Sequence, residues 1–123
     1  MTTGIEKDYE KDEIICHQGD TGQYIYILQS GRLGIYKDDQ LVSEYSKPGT
    51  ILGEMSIILG DERSASIKAM EDSKVSVIRL SVIDMVQNFP SFTVKILTVL
   101  AERLKETTSE LSHSLIDHNV DDE

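Results

Sequence analysis

From Ile14 to Leu80 the apolar residues come in short runs separated by turn residues about every eight to twelve positions. "YIYIL" (24–28) lies between "GDTG" and "QSG", "RLGIY" (32–36) leads into "KDDQ", and "LVSEY" (41–45) ends at "KPG". "SASIKA" (64–69) and "KVSVIRL" (74–80) follow, joined by "MEDS". β-Branched and aromatic residues fill the runs while Gly, Asp and Pro fill the gaps, which predicts a β barrel or sandwich. Val75 and Val77 alternate with Ser76, Ile78 and Leu80 in a way that buries part of both faces. The polar lead-in over residues 1–13 predicts a loose or short helical segment.

At Ser81 the period changes. "SVIDMVQNF" reads as a short helix whose N-cap is Ser81, with Asp84 three residues on completing a capping-box pair. Pro90 interrupts it, and Ser91 is placed to cap a second helix running to about residue 116. Leu97, Ala101, Leu104, Thr108, Leu111, Leu115 and His118 fall on this helix at alternating four- and three-residue spacing. That is an a/d seam, the pattern of helices that pair, and it predicts a partner helix. Thr108, with Thr107 beside it, breaks the apolar seam. The last residues, "DHNVDDE", read as an acidic, fraying tail.

Length and composition fit one ordinary globular domain: 123 residues, 39% hydrophobic and 28% charged. No apolar run is long enough to span a membrane, and the N-terminus has no secretory signal pattern. One cysteine, Cys16, excludes an internal disulfide and suits a reducing, cytoplasmic setting. The net charge of −10 repels nucleic acid and anionic membrane over most of the surface. Any anion site must therefore be small and local.

Residues 53–66, "GEMSIILGDERSAS", can build such a site. Gly53 frees the backbone to turn, and "EMSIIL" can form a short helix with its N–H groups toward an anion. Arg63 brings a bidentate guanidinium, and Ser64, Ala65 and Ser66 bring a hydroxyl and unobstructed N–H groups. Glu54 suits a sugar hydroxyl. An acid for a sugar and an arginine for a phosphate describe a ligand the size of a nucleotide. The bland reading of the same residues is a solvated Glu and Arg on a surface loop.

Catalysis and metal binding find little footing. There is no Gly-x-Ser-x-Gly elbow. Cys16 and His17 lack a second ligand cluster, and His113 and His118 miss the four-residue spacing that puts two ligands on one helix face. The tyrosines at 24, 26, 36 and 45 read as half-buried barrel residues. A binding module is expected, and neither an enzyme nor a cofactor.

Residues 53–66 resemble the phosphate-binding cassette of the cyclic nucleotide-binding domain family: Gly-Glu, a mostly apolar stretch, a variable turn, then Arg-Ser-Ala. "GDTGQYIYILQSGRLGIY" (19–36) and "KPGTILGE" (47–54) resemble the family's glycine-aspartate hairpin and its approach to the cassette. "GDERSASIKA" and "FPSFTVKILTVLAERLKETTSEL" resemble its bacterial catabolite activator branch, and the likeness covers about residues 10–116. It implies an eight-stranded β-roll over about 10–80, helices over about 81–87 and 91–116, and a homodimer paired through the long helix. By position it implies Glu54 on the ribose 2′-hydroxyl with Gly53 and Met55 beside it, and Arg63, Ser64 and Ala65 at the cyclic phosphate. Thr107 would face the base from the same subunit, and Thr108 from the partner. Cyclic AMP is favoured as ligand, because the two threonines suit an adenine amino group. Cyclic GMP is the second candidate, because Ser64 can reach a guanine amino group. Unlike the activators, this sequence shows no recognition helix for DNA, so direct nucleic-acid binding is not expected. A free-standing sensor acting on a protein effector is favoured over two alternatives: a sensor cut from a DNA-binding regulator, and a degenerate interaction domain without ligand.

Overall fold

The computed structural model describes residues 4–116, and the side chains through residue 108. The acidic tail, His118, and the Leu111 and Leu115 side chains of the predicted seam lie outside the described residues. The chain divides into two compact units, one through Asn88 and one from Phe89 onward.

The first unit is built from eight strands: β1 (Ile5–Tyr9), β2 (Ile14–Cys16), β3 (Tyr24–Ser30), β4 (Leu33–Lys37), β5 (Gln40–Tyr45), β6 (Ile51–Leu52), β7 (Ser66–Ala69) and β8 (Ser73–Arg79). They form two four-stranded sheets, ordered β1-β8-β3-β6 and β2-β7-β4-β5, with every neighbouring pair antiparallel. This is the expected mainly-β roll. Its core is where the inner faces meet: Tyr9, Tyr26, Leu28, Leu52 and Val75 from one sheet, and Cys16, Leu33, Ile67 and Ala69 from the other. The period-2 alternation read from the runs is the pleat that delivers these residues inward.

Two expectations are corrected. The lead-in is neither loose nor helical, because Ile5–Tyr9 pairs along its length with β8, from Ile5 opposite Val77 to Tyr9 opposite Ser73. Backbone pairing holds this strand, and only Tyr9 of its five residues is buried. The long helix also starts one residue earlier than Ser91. Pro90 is its first residue, where the missing N–H is no loss and the fixed φ suits a helix.

The turns follow their chemistry. "KDDQ" makes the β4–β5 hairpin with Asp38 at φ 51° and Asp39 at φ 66°, the left-handed pair that a tight two-residue hairpin needs. A short helix, α1 (Glu54–Leu59), joins β6 to the segment before β7, and α2 (Val82–Asn88) follows β8. The capping pair forms as read: Asp84 N–H donates to Ser81 Oγ at 3.1 Å, and Ser81 N–H donates back to Asp84 Oδ2 at 3.4 Å.

The second unit is the helix α3 (Pro90–Ile116). Leu97 and Leu104 on its predicted seam are exposed, at 59% and 67%. Ala101, Thr107 and Thr108 are exposed as well. No helix among the described residues is long and apolar enough to cross a membrane.

Candidate ligand-binding site

Gly53 sits at the corner between β6 and α1 in the left-handed region, at φ 88° and ψ 3°. The turn delivers Glu54 as the first residue of α1, where its carboxylate also suits the helix dipole, and Glu54 is 2% exposed. Met55 points outward and is exposed, while Ser56 and Ile57 turn inward. Gly60 ends the helix at φ 71°.

Arg63 is buried, which an arginine tolerates only with its donors engaged. Its backbone is tied to the loop after β2: Arg63 N–H donates to Asp20 O at 2.7 Å, and Gly19 N–H donates to Arg63 O at 2.8 Å. The guanidinium turns into the protein. Nη1 donates to Gly53 O at 2.7 Å and to Ser56 Oγ at 2.5 Å, and Nη2 donates to Tyr24 O at 2.6 Å. The Tyr26 ring lies beneath it, 5.5 Å from ring centroid to Cζ. Of its five N–H groups, Nε–H and one Nη2–H have no acceptor among the described residues. Nε and Nη2 are bonded to one carbon, so these two donors can present the fork that matches two oxygens of a phosphate.

The structure brings Arg63 onto Gly53 O and buries Glu54, the residue next to Gly53. Ser64 beside them is exposed and Ala65 is half-buried. The Ser66 hydroxyl oxygen is already engaged, since it accepts from Gln18 N–H at 2.8 Å. Thr107 and Thr108 lie on α3, in the second unit. Sequence reasoning missed the partners of Arg63, namely Tyr24, Tyr26 and Ser56.

A polar cleft of about 810 Å³ borders the end of the cassette, with Arg63 and Ser64 in its wall. Asp38, Asp39, Asp61 and Glu62 also line it, against Lys37 and Arg63.

Burial pushes the Tyr26 hydroxyl up to about 12; Cys16 beside it adds to the rise and Arg63 opposes it. The unfolded chain releases this proton first, near the ordinary value of about 10. The Tyr26 contribution to stability is therefore full below about pH 10 and is lost as pH rises from there toward about 12. Burial raises the Cys16 thiol too, which acts in the same direction. Chemical denaturation from pH 8 to 11 should show wild type losing more stability than Tyr26→Phe above pH 10. Parallel curves would show that Tyr26 is not the group responsible.

Residues 6–87 match the family model described as the cyclic nucleotide-binding domain. The chain belongs to the cyclic nucleotide-binding domain family. A curated relative, the cyclic AMP receptor protein of Thermus thermophilus, is 32% identical over 108 residues, which is 84% of this chain and 50% of the relative. The cAMP-dependent protein kinase regulatory subunit of Candida albicans is 34% identical over 67 residues, 54% of this chain and 14% of that protein. The solved structure of the Thermus thermophilus catabolite activator protein superposes with a TM-score of 0.76 at 29% identity, over 89% of this chain and 54% of that one. This cyclic nucleotide-binding domain thus spans half, or far less, of the length of these curated relatives.

Proposed function

We propose that this domain is a ligand-sensing regulatory module that binds a 3′,5′-cyclic nucleotide, with cyclic AMP ahead of cyclic GMP. The observation that carries the reading is the buried Arg63 guanidinium, held on three N–H groups and leaving two on adjacent nitrogens. A cyclic phosphate offers two exocyclic oxygens to such a fork. Glu54 takes the ribose 2′-hydroxyl, with Gly53 and Met55 next to it, and Ser64 and Ala65 complete the phosphate end. Thr107 faces the base from the same subunit and Thr108 from a second copy paired through α3. The exposure of Leu97, Ala101 and Leu104 at four- and three-residue spacing supports that pairing. Relatives named for either nucleotide occur, including human cGMP-dependent protein kinase 2 at 32% identity over 68 residues. The preference for cyclic AMP rests on the threonines.

The module would act on a protein effector. A second reading, the sensor part of a larger regulator, is favoured by the 50% share of the Thermus relative that the chain covers.

Calorimetric titration with cyclic AMP and then cyclic GMP tests the reading, with sedimentation of the same samples to follow the dimer. Saturable binding of both, tighter for cyclic AMP, and a dimer are expected. Thr107→Val with Thr108→Val should weaken cyclic AMP by about three- to tenfold and cyclic GMP less. Equal losses would remove the threonines from base selection, and no heat with either nucleotide would favour an interaction domain without ligand.

A further inference from the structure

Two of the three acceptors that hold the guanidinium are main-chain carbonyls, Gly53 O and Tyr24 O, which this backbone supplies whatever the side chains. The third is Ser56 Oγ, and it alone depends on residue type. Ser56 lies on α1, seven residues before Arg63, and is 9% exposed. Its own hydrogen has a partner, because Ser56 Oγ donates to Gly53 O at 3.3 Å. With the hydrogen directed there, an oxygen lone pair is left to face Nη1. Gly53 O, Ser56 Oγ and Nη1 thus form a closed triangle that engages both Nη1 hydrogens.

We propose that Ser56 is a positioning residue of the ligand site: its hydroxyl locks the Nη1 side of Arg63, so that the Nε–H and Nη2–H edge is held ready for the phosphate. The inference rests on the cyclic nucleotide reading and adds the group that orients its main phosphate ligand. Without the hydroxyl, Nη1 keeps one acceptor, and the guanidinium gains rotational freedom that must be given up on binding. A helical serine bonded to the carbonyl three residues back also has a purely local reading, in which it only trims the helix end. That reading ties Ser56 to α1 and leaves Arg63 unaffected, so the two can be separated.

The test uses the full chain as wild type, Ser56→Ala and Ser56→Thr, each also combined with Arg63→Lys. Ser56 borders a recess of about 250 Å³ shared with Thr21, Gly22, Ile57 and Leu80, which leaves room for the extra methyl of threonine. Titration with cyclic AMP and cyclic GMP should show Ser56→Ala losing about five- to twentyfold in affinity for both, and Ser56→Thr staying within about twofold of wild type. In the Arg63→Lys background the alanine step should cost less than about twofold, because its target is gone. Nitrogen-15 spectra of the ligand-free protein give a readout without nucleotide. Wild type should show separate Nη1 and Nη2 signals for Arg63, and Ser56→Ala should merge them. Wild-type affinity in Ser56→Ala, an equal loss in both backgrounds, or unchanged guanidinium signals would each overturn the proposal. Should wild type bind neither nucleotide, the ligand reading falls by itself. The spectra then decide Ser56: merged signals support the lock, and unchanged signals overturn it.

Discussion

Arg63→Ala is expected to lower cyclic nucleotide affinity by roughly 10- to 150-fold, the worth of a charge-assisted hydrogen bond of about 1.5–3 kcal/mol. It should also destabilise the protein without ligand. Tyr24 O, Gly53 O and Ser56 Oγ would lose their shared donor at a site where Ser56 and the arginine itself are buried. Removing one partner of a buried hydrogen bond costs the desolvation of the other, about 1–3 kcal/mol each where water cannot substitute. A total of about 2–4 kcal/mol is a substantial share of the stability of a small domain. Arg63→Lys separates the two roles. It keeps a charge for the phosphate, but its compact ammonium cannot serve three acceptors and still offer a planar fork. Titration and chemical denaturation of the same variants check both effects. Unchanged affinity in Arg63→Ala would take the arginine out of the site, and the proposed function would lose its main support.

Much of the roll is legible in the sequence because its longer strands are runs of β-branched and aromatic residues set between turn residues. β3 and β8 are rich enough in such residues to be read as strands, and the "KDDQ" turn sits where a tight hairpin must. The elements that escaped are those in which side-chain pattern carries no information. β1, "IEKDY", exposes four of its five residues and exists because its main chain pairs with β8. β6 is two residues long, too short for any period to show. Pro90 misled for a different reason. Between two helical stretches a proline reads as a break, yet at the first position of a helix it is favourable, so one residue both closes the way from α2 and opens α3.

The site divides in the same way. Gly53, Glu54 and Arg63 were legible because a Gly-Glu pair and, nine residues on, an arginine among small residues in an acidic chain match a known phosphate-binding pattern. Ser56 was not, since a serine inside "EMSIIL" looks like an ordinary polar position. Its part is visible only once the chain folds back and lays Arg63 against the helix that Glu54 begins. Tyr24 was hidden more deeply, because it contributes a carbonyl that no sequence pattern marks. Contacts through the main chain belong to the fold, and become readable only with it.

Gly53→Ala should cost nearly as much binding as Arg63→Ala while leaving the charge in place. Two effects act at once. At φ 88° an L-residue is strained, by about 1–2 kcal/mol. A Cβ there would also meet Arg63 Nη1 at 2.8 Å, Tyr26 Cδ2 at 3.1 Å and Tyr24 O at 3.3 Å. The nearest of these atoms is the donor that Gly53 O itself accepts from, so relief of the clash pushes the guanidinium away from its own acceptor. Gly60→Ala at the other end of α1 is the matched control. It too has a left-handed φ, of 71°, but a Cβ there would meet nothing within 4 Å. The control should lose about 1 kcal/mol of stability and no affinity, whereas Gly53→Ala should lose about 2–4 kcal/mol and at least about tenfold in affinity. Equal behaviour of the two variants would mean that strain alone governs both. The close approach of backbone to guanidinium would then not be what shapes the site.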